Sequence, residues 1–527
     1  MRLSAWLLCT TGLLAPAAAS RADVKPNPLF TDNMVFQQNA PLPVWGTAEP
    51  GENVTVSLSV QGEGAQAQTA VSVAADDKGK WMVTLGALKA APKLVVSLKI
   101  AGKNTVEIKN IAVGEVWICS GQSNMQWAVS QSTGAADAAK APENPDLRLF
   151  YVPRETAMEP VTTVKARWEV ANPKTVPGFS AVAYYFGLDL QKTLKVPVGL
   201  IHTSWGGTPA EAWTSKATLE NDSILKHYIN SYDNVDKARK AFDPAKAKAD
   251  YEAAMVKHKE AVEKAKADSK PAPKAPQMAQ MPGSGPNTPT VLYNGMIAPL
   301  IPYAFKGAIW YQGESNAGRA WEYRTLFPAM ITDWRKAWKS DFPFLFVQLA
   351  PYQTAAKEPG NHNWGELREA QLYTQQTLKG TGMAVITDAG EADIHPKAKK
   401  PVGERLAWIA RANVYGEKIE PYGPIYKSKK VDGNKVVLSF DHLGGGLAAK
   451  GDKLTGFSVC GADGKFVWAD AAIEGDTVVV TSDKVAAPTE VRFGWAVFPV
   501  VNLFNKAGQP ATPFRTDTFP VTTQPKK

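Results

Sequence analysis

The sequence predicts an α/β protein: a parallel sheet flanked by helices, with accessory β-sandwich regions at both ends. Two changes of period carry this reading. Residues 26–110 alternate apolar and polar with period two, from about 111 short apolar runs alternate with helix-spaced segments, and from about 430 the period-two pattern returns. The third observation is length: 527 residues exceed what one core holds, so about two to four domains are expected.

In chain order, residues 1–22 read as a secretory signal. Arg2 supplies the positive start, Ala5 to Leu14 a short apolar core, and Ala17-Ala18-Ala19 or Ser20-Arg21-Ala22 a small-residue cleavage site. The apolar stretch is shorter than the roughly 20 residues a membrane span needs. Cys9 lacks the small preceding residue of a lipoprotein site. The mature protein is therefore expected to be exported, periplasmic or extracellular, with no membrane span.

Residues 23–110 form the first β region. Val54 to Val60 and Trp81 to Leu85 alternate strictly, and Glu49-Pro50-Gly51 and Asp76-Asp77-Lys78-Gly79 supply turns. Residues 111–428 carry the parallel sheet. Its strands are expected at Val113–Cys119, Val196–Ile201, Phe305–Tyr311, Phe344–Leu349 and Met383–Thr387. Helices are expected at Phe179–Leu194, Trp321–Trp338, Glu366–Leu378 and Val402–Val414. An insertion at about 233–289 is Ala/Lys/Glu-rich and helical to Lys270, then carries six prolines to Pro289. It reads as a lid, an oligomer contact or a solvated excursion. Residues 429–527 form the last β region, clearest at Lys435–Phe440 and Thr477–Thr481. It is either a second all-β domain or the completion of the N-terminal sandwich.

The net charge of +9 does not signal nucleic-acid binding. From Asp236 to Lys274 there are 11 Lys/Arg against 7 Asp/Glu, alternating in sign as on a solvated helix, with only Phe242 and Tyr251 interleaved. After the signal, two cysteines remain, Cys119 and Cys460, expected as buried free thiols. No CxxC or HxxxH spacing supports zinc.

Four of the predicted strands end in polar or glycine motifs: Gly121-Gln122-Ser123-Asn124-Met125, Ser204-Trp205-Gly206-Gly207-Thr208, Gln312-Gly313-Glu314-Ser315-Asn316 and Asp393-Ile394-His395-Pro396. In a parallel sheet these converge on the carboxyl edge, where ligands bind. Acyl transfer needs such a set. A serine needs a base to take its proton, a histidine titrates in the right range, and a tetrahedral intermediate needs donors aimed at its oxyanion. Ser123, His395, Gly207 and either Gln312 or Asn316 supply those parts. Of six histidines, His395 alone combines a nearby acid with a place just after the last strand. Glu314 either orients Gln312 or is the acid behind His395. Trp205, Trp213 and Trp310 are either core or the aromatic lining of a sugar pocket. Met125 replaces the second glycine of G-x-S-x-G, which argues against an α/β-hydrolase elbow, and no dinucleotide or phosphate loop is present.

Together the four motifs resemble the sialate O-acetylesterase family of SGNH-type hydrolases. Leu29 to Gln37, Pro43-Val44-Trp45-Gly46, Phe493-Gly494-Trp495-Ala496 and Pro513 to Asp517 extend the similarity over nearly the whole mature chain, the insertion excepted. The resemblance implies a flavodoxin-like SGNH sheet and a cofactor-free, metal-independent serine esterase acting on O-acetylated sugars. It makes Ser123 the nucleophile and His395 the base, and gives the backbones of Ser123 and Gly207 to the oxyanion. Gln312 is favoured over Asn316 as third donor. The family places its acid three residues before the histidine, where this chain has Ala392, while Asp393 stands two before. His395 is then oriented by Asp393, by Glu314 or by a backbone carbonyl, and a Ser-His dyad stays open.

Gln122, Asn124, Glu314, Arg319 and Arg368 are the expected substrate-binding side chains. The two arginines are candidates for a sialate carboxylate. The rival substrate is acetylated xylan, and the rival classes are a non-catalytic carbohydrate-binding module and, with less support, a peptidase.

Overall fold

Seven strands form the path of the central sheet in the computed structural model, which describes residues 23–62 and 69–525. Their order is Trp168–Ala171, Asn144–Tyr151, Val198–Ser204, Thr105–Gly121, Gly307–Tyr311, Phe344–Val347 and Thr381–Ala384. All neighbours are parallel except the first pair. Every residue of Val198–Ser204, Gly307–Tyr311 and Phe344–Val347 is buried. That burial on both faces is why these strands read as continuous apolar runs. Five strands lie where the sequence places them. Asn144–Tyr151 and Trp168–Ala171 were not anticipated. The signal segment lies outside the described residues.

The strand Thr105–Gly121, which leads to Ser123, sits at the centre and runs across the boundary expected at 110/111. Its first half is only intermittently buried and pairs antiparallel with Val95–Ala101 of the N-terminal region. Its second half is wholly buried and pairs in parallel with Val198–Ser204 and Gly307–Tyr311. The change of period seen in sequence is thus a change of burial within one strand.

Helices cover both faces. Ala181–Leu194 and Lys400–Asn413 pack together over Trp117 and Cys119, while Ala320–Trp338 and Asn363–Thr377 pack together over the face that carries Val116 and Ile118. Successive strand residues alternate between the two cores, as the pleat requires. Trp310 meets Trp213 and Trp334 edge-on, with centroids 5.9 Å from each. All three are 0% exposed, so Trp213 and Trp310 are core and not pocket lining.

The insertion folds as helices His227–Lys240 and Pro244–Ala267, and the second has no buried residue. Asp243 caps it by accepting from the Ala245 and Lys246 N–H groups. The second helix is thus solvated over its whole length. The C-terminal strands form sheets of their own and, among the described residues, none pairs with an N-terminal strand. Helix Asn363–Thr377 holds that region on. Arg368 donates to the carbonyls of Ala496 and Val497, Glu366 accepts from Thr522 and Thr523, and Glu369 pairs with Arg515. Cys119 and Cys460 are free and buried, as expected.

Candidate active site

The candidate site begins where the Thr105–Gly121 strand must turn. Gly121 has φ +138°, and a Cβ there would lie 2.2 Å from the Tyr311 carbonyl oxygen, so only glycine fits. Its own carbonyl accepts from the Trp205 N–H (3.1 Å), and the Gln122 N–H donates to the Tyr311 carbonyl (2.9 Å). The turn is thereby tied to the strands on both sides. Ser123 opens a one-turn helix, Ser123–Gln126, closed by the Trp127 N–H donating to the Ser123 carbonyl (2.9 Å). The hydroxyl is half-buried and makes no hydrogen bond among the described residues.

His395 lies over the same turn. Its ring stacks on Trp127, with centroids 5.0 Å apart and planes 17° apart. The Asn124 amide donates to the carbonyl of neighbouring Ile394 (3.0 Å). Asp393 accepts the His395 backbone N–H (2.8 Å), and the same oxygen is 3.4 Å from Nδ1. The latter is long for a ring hydrogen bond, and the Asp393 side chain is 68% exposed. Burial, and secondarily the nearby Lys399 cation, push the His395 pKa below its ordinary 6.5, while Asp393 pulls the other way.

Beneath the turn lies a buried polar chain. Asn124 donates to Glu314 Oε1 (2.6 Å) and accepts from the Lys399 ammonium. Lys399 is 0% exposed, and burial lowers its pKa to about 7 against the pull of Glu314. Burial raises Glu314 in turn. Its Oε2 is sealed from solvent without a hydrogen-bond partner, although the residue as a whole is half-buried.

The two glycines of the Val198–Ser204 strand end have different tasks. Gly206 backs onto Ser123: a Cβ there would sit 3.2 Å from Ser123 Cβ, and its N–H donates to Gln126 (2.7 Å). Gly207, at φ +73°, faces open space. Among the described residues its N–H, like that of Ser123, donates to no acceptor. Two backbone N–H groups at neighbouring strand ends are therefore without an acceptor among the described residues.

The third donor is a correction. Gln312 is 0% exposed. Its amide nitrogen donates to Thr208 O (3.3 Å) and Asn316 Oδ1 (2.6 Å), and its oxygen accepts from Tyr323 (2.9 Å). Asn316 donates to Glu211 (2.9 Å) and accepts from the Ala210 N–H (2.9 Å). Both amides lock the Thr208–Trp213 turn onto the Gly307–Tyr311 strand end, and neither is available to an oxyanion. The substrate-binding set changes for the same reason. Gln122 is buried and accepts from the Ser315 N–H (3.2 Å). Asn124 and Glu314 belong to the buried chain, and Glu314 has no contact with His395. Arg319 pairs with Glu211 (2.7 Å) and Tyr228 (2.5 Å). Arg368 is 0% exposed, with its guanidinium on four backbone carbonyls.

Lys399 and Trp127 were missed. Trp127 has a sequence signal, four residues after Ser123 and so on the same helical face. Lys399 has almost none: in Lys397-Ala398-Lys399-Lys400 any lysine reads as solvated.

A family model described as carbohydrate esterase, sialic acid-specific acetylesterase, matches residues 113–263 and 284–411, which hold Ser123, Gly207, Gln312 and His395. Sialate O-acetylesterase from Homo sapiens is 29% identical over 509 residues, covering 89% of this chain and 87% of that protein. The Mus musculus protein of the same name is 29% identical over 508 residues, covering 89% of each. Among solved structures, a carbohydrate acetylesterase from Xanthomonas citri is 34% identical, with a TM-score of 0.77, over 94% of this chain and 100% of that one.

Proposed function

Because the chain belongs to the sialic acid-specific acetylesterase family of carbohydrate esterases, and is thereby a carboxylic ester hydrolase, we propose that it removes O-acetyl groups from sugars, O-acetylated sialic acids foremost, by Ser-His acyl transfer. The observation that carries this is the stacking of His395 on Trp127, one helical turn from a Ser123 hydroxyl that makes no hydrogen bond among the described residues. Ser123 Oγ attacks the acetyl carbonyl as His395 takes its proton. The oxyanion that forms is held by the Ser123 and Gly207 N–H groups. Collapse breaks the ester bond, and His395 returns the proton to the departing sugar oxygen. Water, deprotonated by His395, then attacks the acetyl-serine; the bond to Ser123 Oγ breaks, His395 returns the proton to that oxygen, and acetate leaves.

The absence of a direct Ser123–His395 bond fits a resting site, because such bonds commonly tighten only when substrate is present. A nucleophile at the carboxyl end of the central parallel strand supports the flavodoxin-like SGNH assignment. The signal-like N terminus supports export of the mature enzyme. Acetate release from O-acetylated sialic acids and acetylated xylo-oligosaccharides tests the reading. Ser123→Ala and His395→Ala are each expected to abolish turnover while circular dichroism and melting stay those of a folded protein. Retained turnover in either variant would sink it, and equal rates on both sugars would sink the preference for sialate.

A further inference from the structure

With Arg319 and Arg368 occupied, the site needs another cation if it reads an acidic sugar. We propose that Arg154 is the carboxylate-reading residue of the site, so that the preferred substrate is an O-acetylated sugar acid rather than a neutral acetylated sugar. This rests on the esterase reading above and adds the residue that would read the substrate's acid group.

The placement follows from the sheet. Asn144–Tyr151 runs parallel to Val198–Ser204, with Tyr151 opposite His202. The Val152 N–H continues the ladder by donating to the His202 carbonyl (2.9 Å). The strand itself ends at Tyr151, and Pro153, with its fixed φ, leads the chain out of it. Arg154 therefore emerges on the carboxyl edge, beside the strand whose next residues are Trp205, Gly206 and Gly207. Its guanidinium carbon lies 5.7 Å from the centre of the Trp205 ring. Trp205 in turn is hydrogen-bonded to Gly121, and Gly206 touches Ser123.

Arg154 also differs in kind from the other arginines. Among the described residues it alone has neither an ion pair nor a hydrogen bond to a protein acceptor, and it is exposed. Glu155 and Glu159 are close in sequence and exposed, yet neither pairs with it. A guanidinium placed over an aromatic face keeps its in-plane N–H fork free, and that fork matches a carboxylate with two parallel bonds. The geometry suits a sugar whose carboxylate lies away from the acetylated hydroxyl. A nonulosonic acid acetylated on its side chain has that form, and so does a hexuronic acid in an acetylated chain.

The test compares kcat/KM for each acid with that for its methyl ester, which removes the charge and keeps the acetyl group. Two pairs are used, an O-acetylated sialic acid and an acetylated xylo-oligosaccharide bearing glucuronic acid. The wild-type protein is expected to prefer the acid. In Arg154→Gln the acid-to-ester ratio should fall roughly ten-fold or more, the scale of a charge-assisted bidentate contact. Arg154→Lys, which keeps the charge and loses the fork, should lie between. Collapse for one pair only identifies the acid, and an unchanged ratio for both overturns the proposal. If no acetate is released from any substrate, the esterase reading fails by itself. Calorimetric binding of N-acetylneuraminate against its methyl ester, to wild type and Arg154→Gln, then decides Arg154 separately: equal binding of the two by wild type overturns it.

Discussion

Asp393→Asn removes one charge from beside His395 and keeps the oxygen that accepts the His395 backbone N–H. The carboxylate and Nδ1 are 3.4 Å apart, with the Asp393 side chain 68% exposed. Unit charges at that separation in a water-like dielectric interact by about 1 kcal/mol, and exposed pairs measure about that or less. If the charge acts only by stabilising the imidazolium formed in the transition state, its loss lowers kcat/KM roughly five-fold. Because Asp393 raises the His395 pKa against burial and Lys399, its removal lowers that pKa further. The acid limb of kcat/KM should therefore move down, by less than about one pH unit. An aryl acetate followed from about pH 4 to pH 9 reads both quantities, given the reference histidine value. A loss beyond about ten-fold, or roughly 1.4 kcal/mol of barrier, would refute the reasoning and make Asp393 an essential third member. The dyad would then be excluded.

Lys399→Met removes the cation that helps hold His395 below 6.5. The acid limb should move up toward the ordinary histidine value, with activity lost mainly on the acid side, and a limb that stays or moves down would contradict the assigned electrostatics. Arg368→Met deprives four buried carbonyls of their donor. A lower denaturation midpoint, equivalent to about 3–5 kcal/mol, is expected, while the acid-to-ester ratio stays that of wild type. A changed ratio would restore Arg368 as a substrate contact.

Sequence alone placed residues at the right strand ends where residue type and strand position suffice. Ser123 follows a glycine that the turn requires, and His395 follows the last strand. Each lies on the carboxyl edge because a parallel sheet brings strand ends together. It failed where side-chain direction decides. Gln312 and Asn316 stand in the right motif with their amides turned back into the scaffold, and Arg368 sits near the site with its guanidinium aimed at backbone. Asn144–Tyr151 was missed because Asp146 and Arg148 interrupt its apolar run. The structure buries Arg148 by giving it Pro145, Asn33 and Asn110 as partners, none of them adjacent in sequence. Lys399 escaped notice for a related reason: a lysine is buried only where a carboxylate and an amide from distant segments meet it, and neither Glu314 nor Asn124 announces that role.

The Thr105–Gly121 strand limits how the molecule can be taken apart. Its 17 residues run from antiparallel pairing with Val95–Ala101 into the parallel sheet without a joint, so no linker lies there at which the N-terminal region could be cut away or exchanged as a cassette. Shortening the chain to the residues that look catalytic would saw through the rod that holds Ser123 and free the antiparallel edge of Val95–Ala101. The N-terminal β region is thus a footing for the turn that carries Ser123, since one unbroken strand belongs to both.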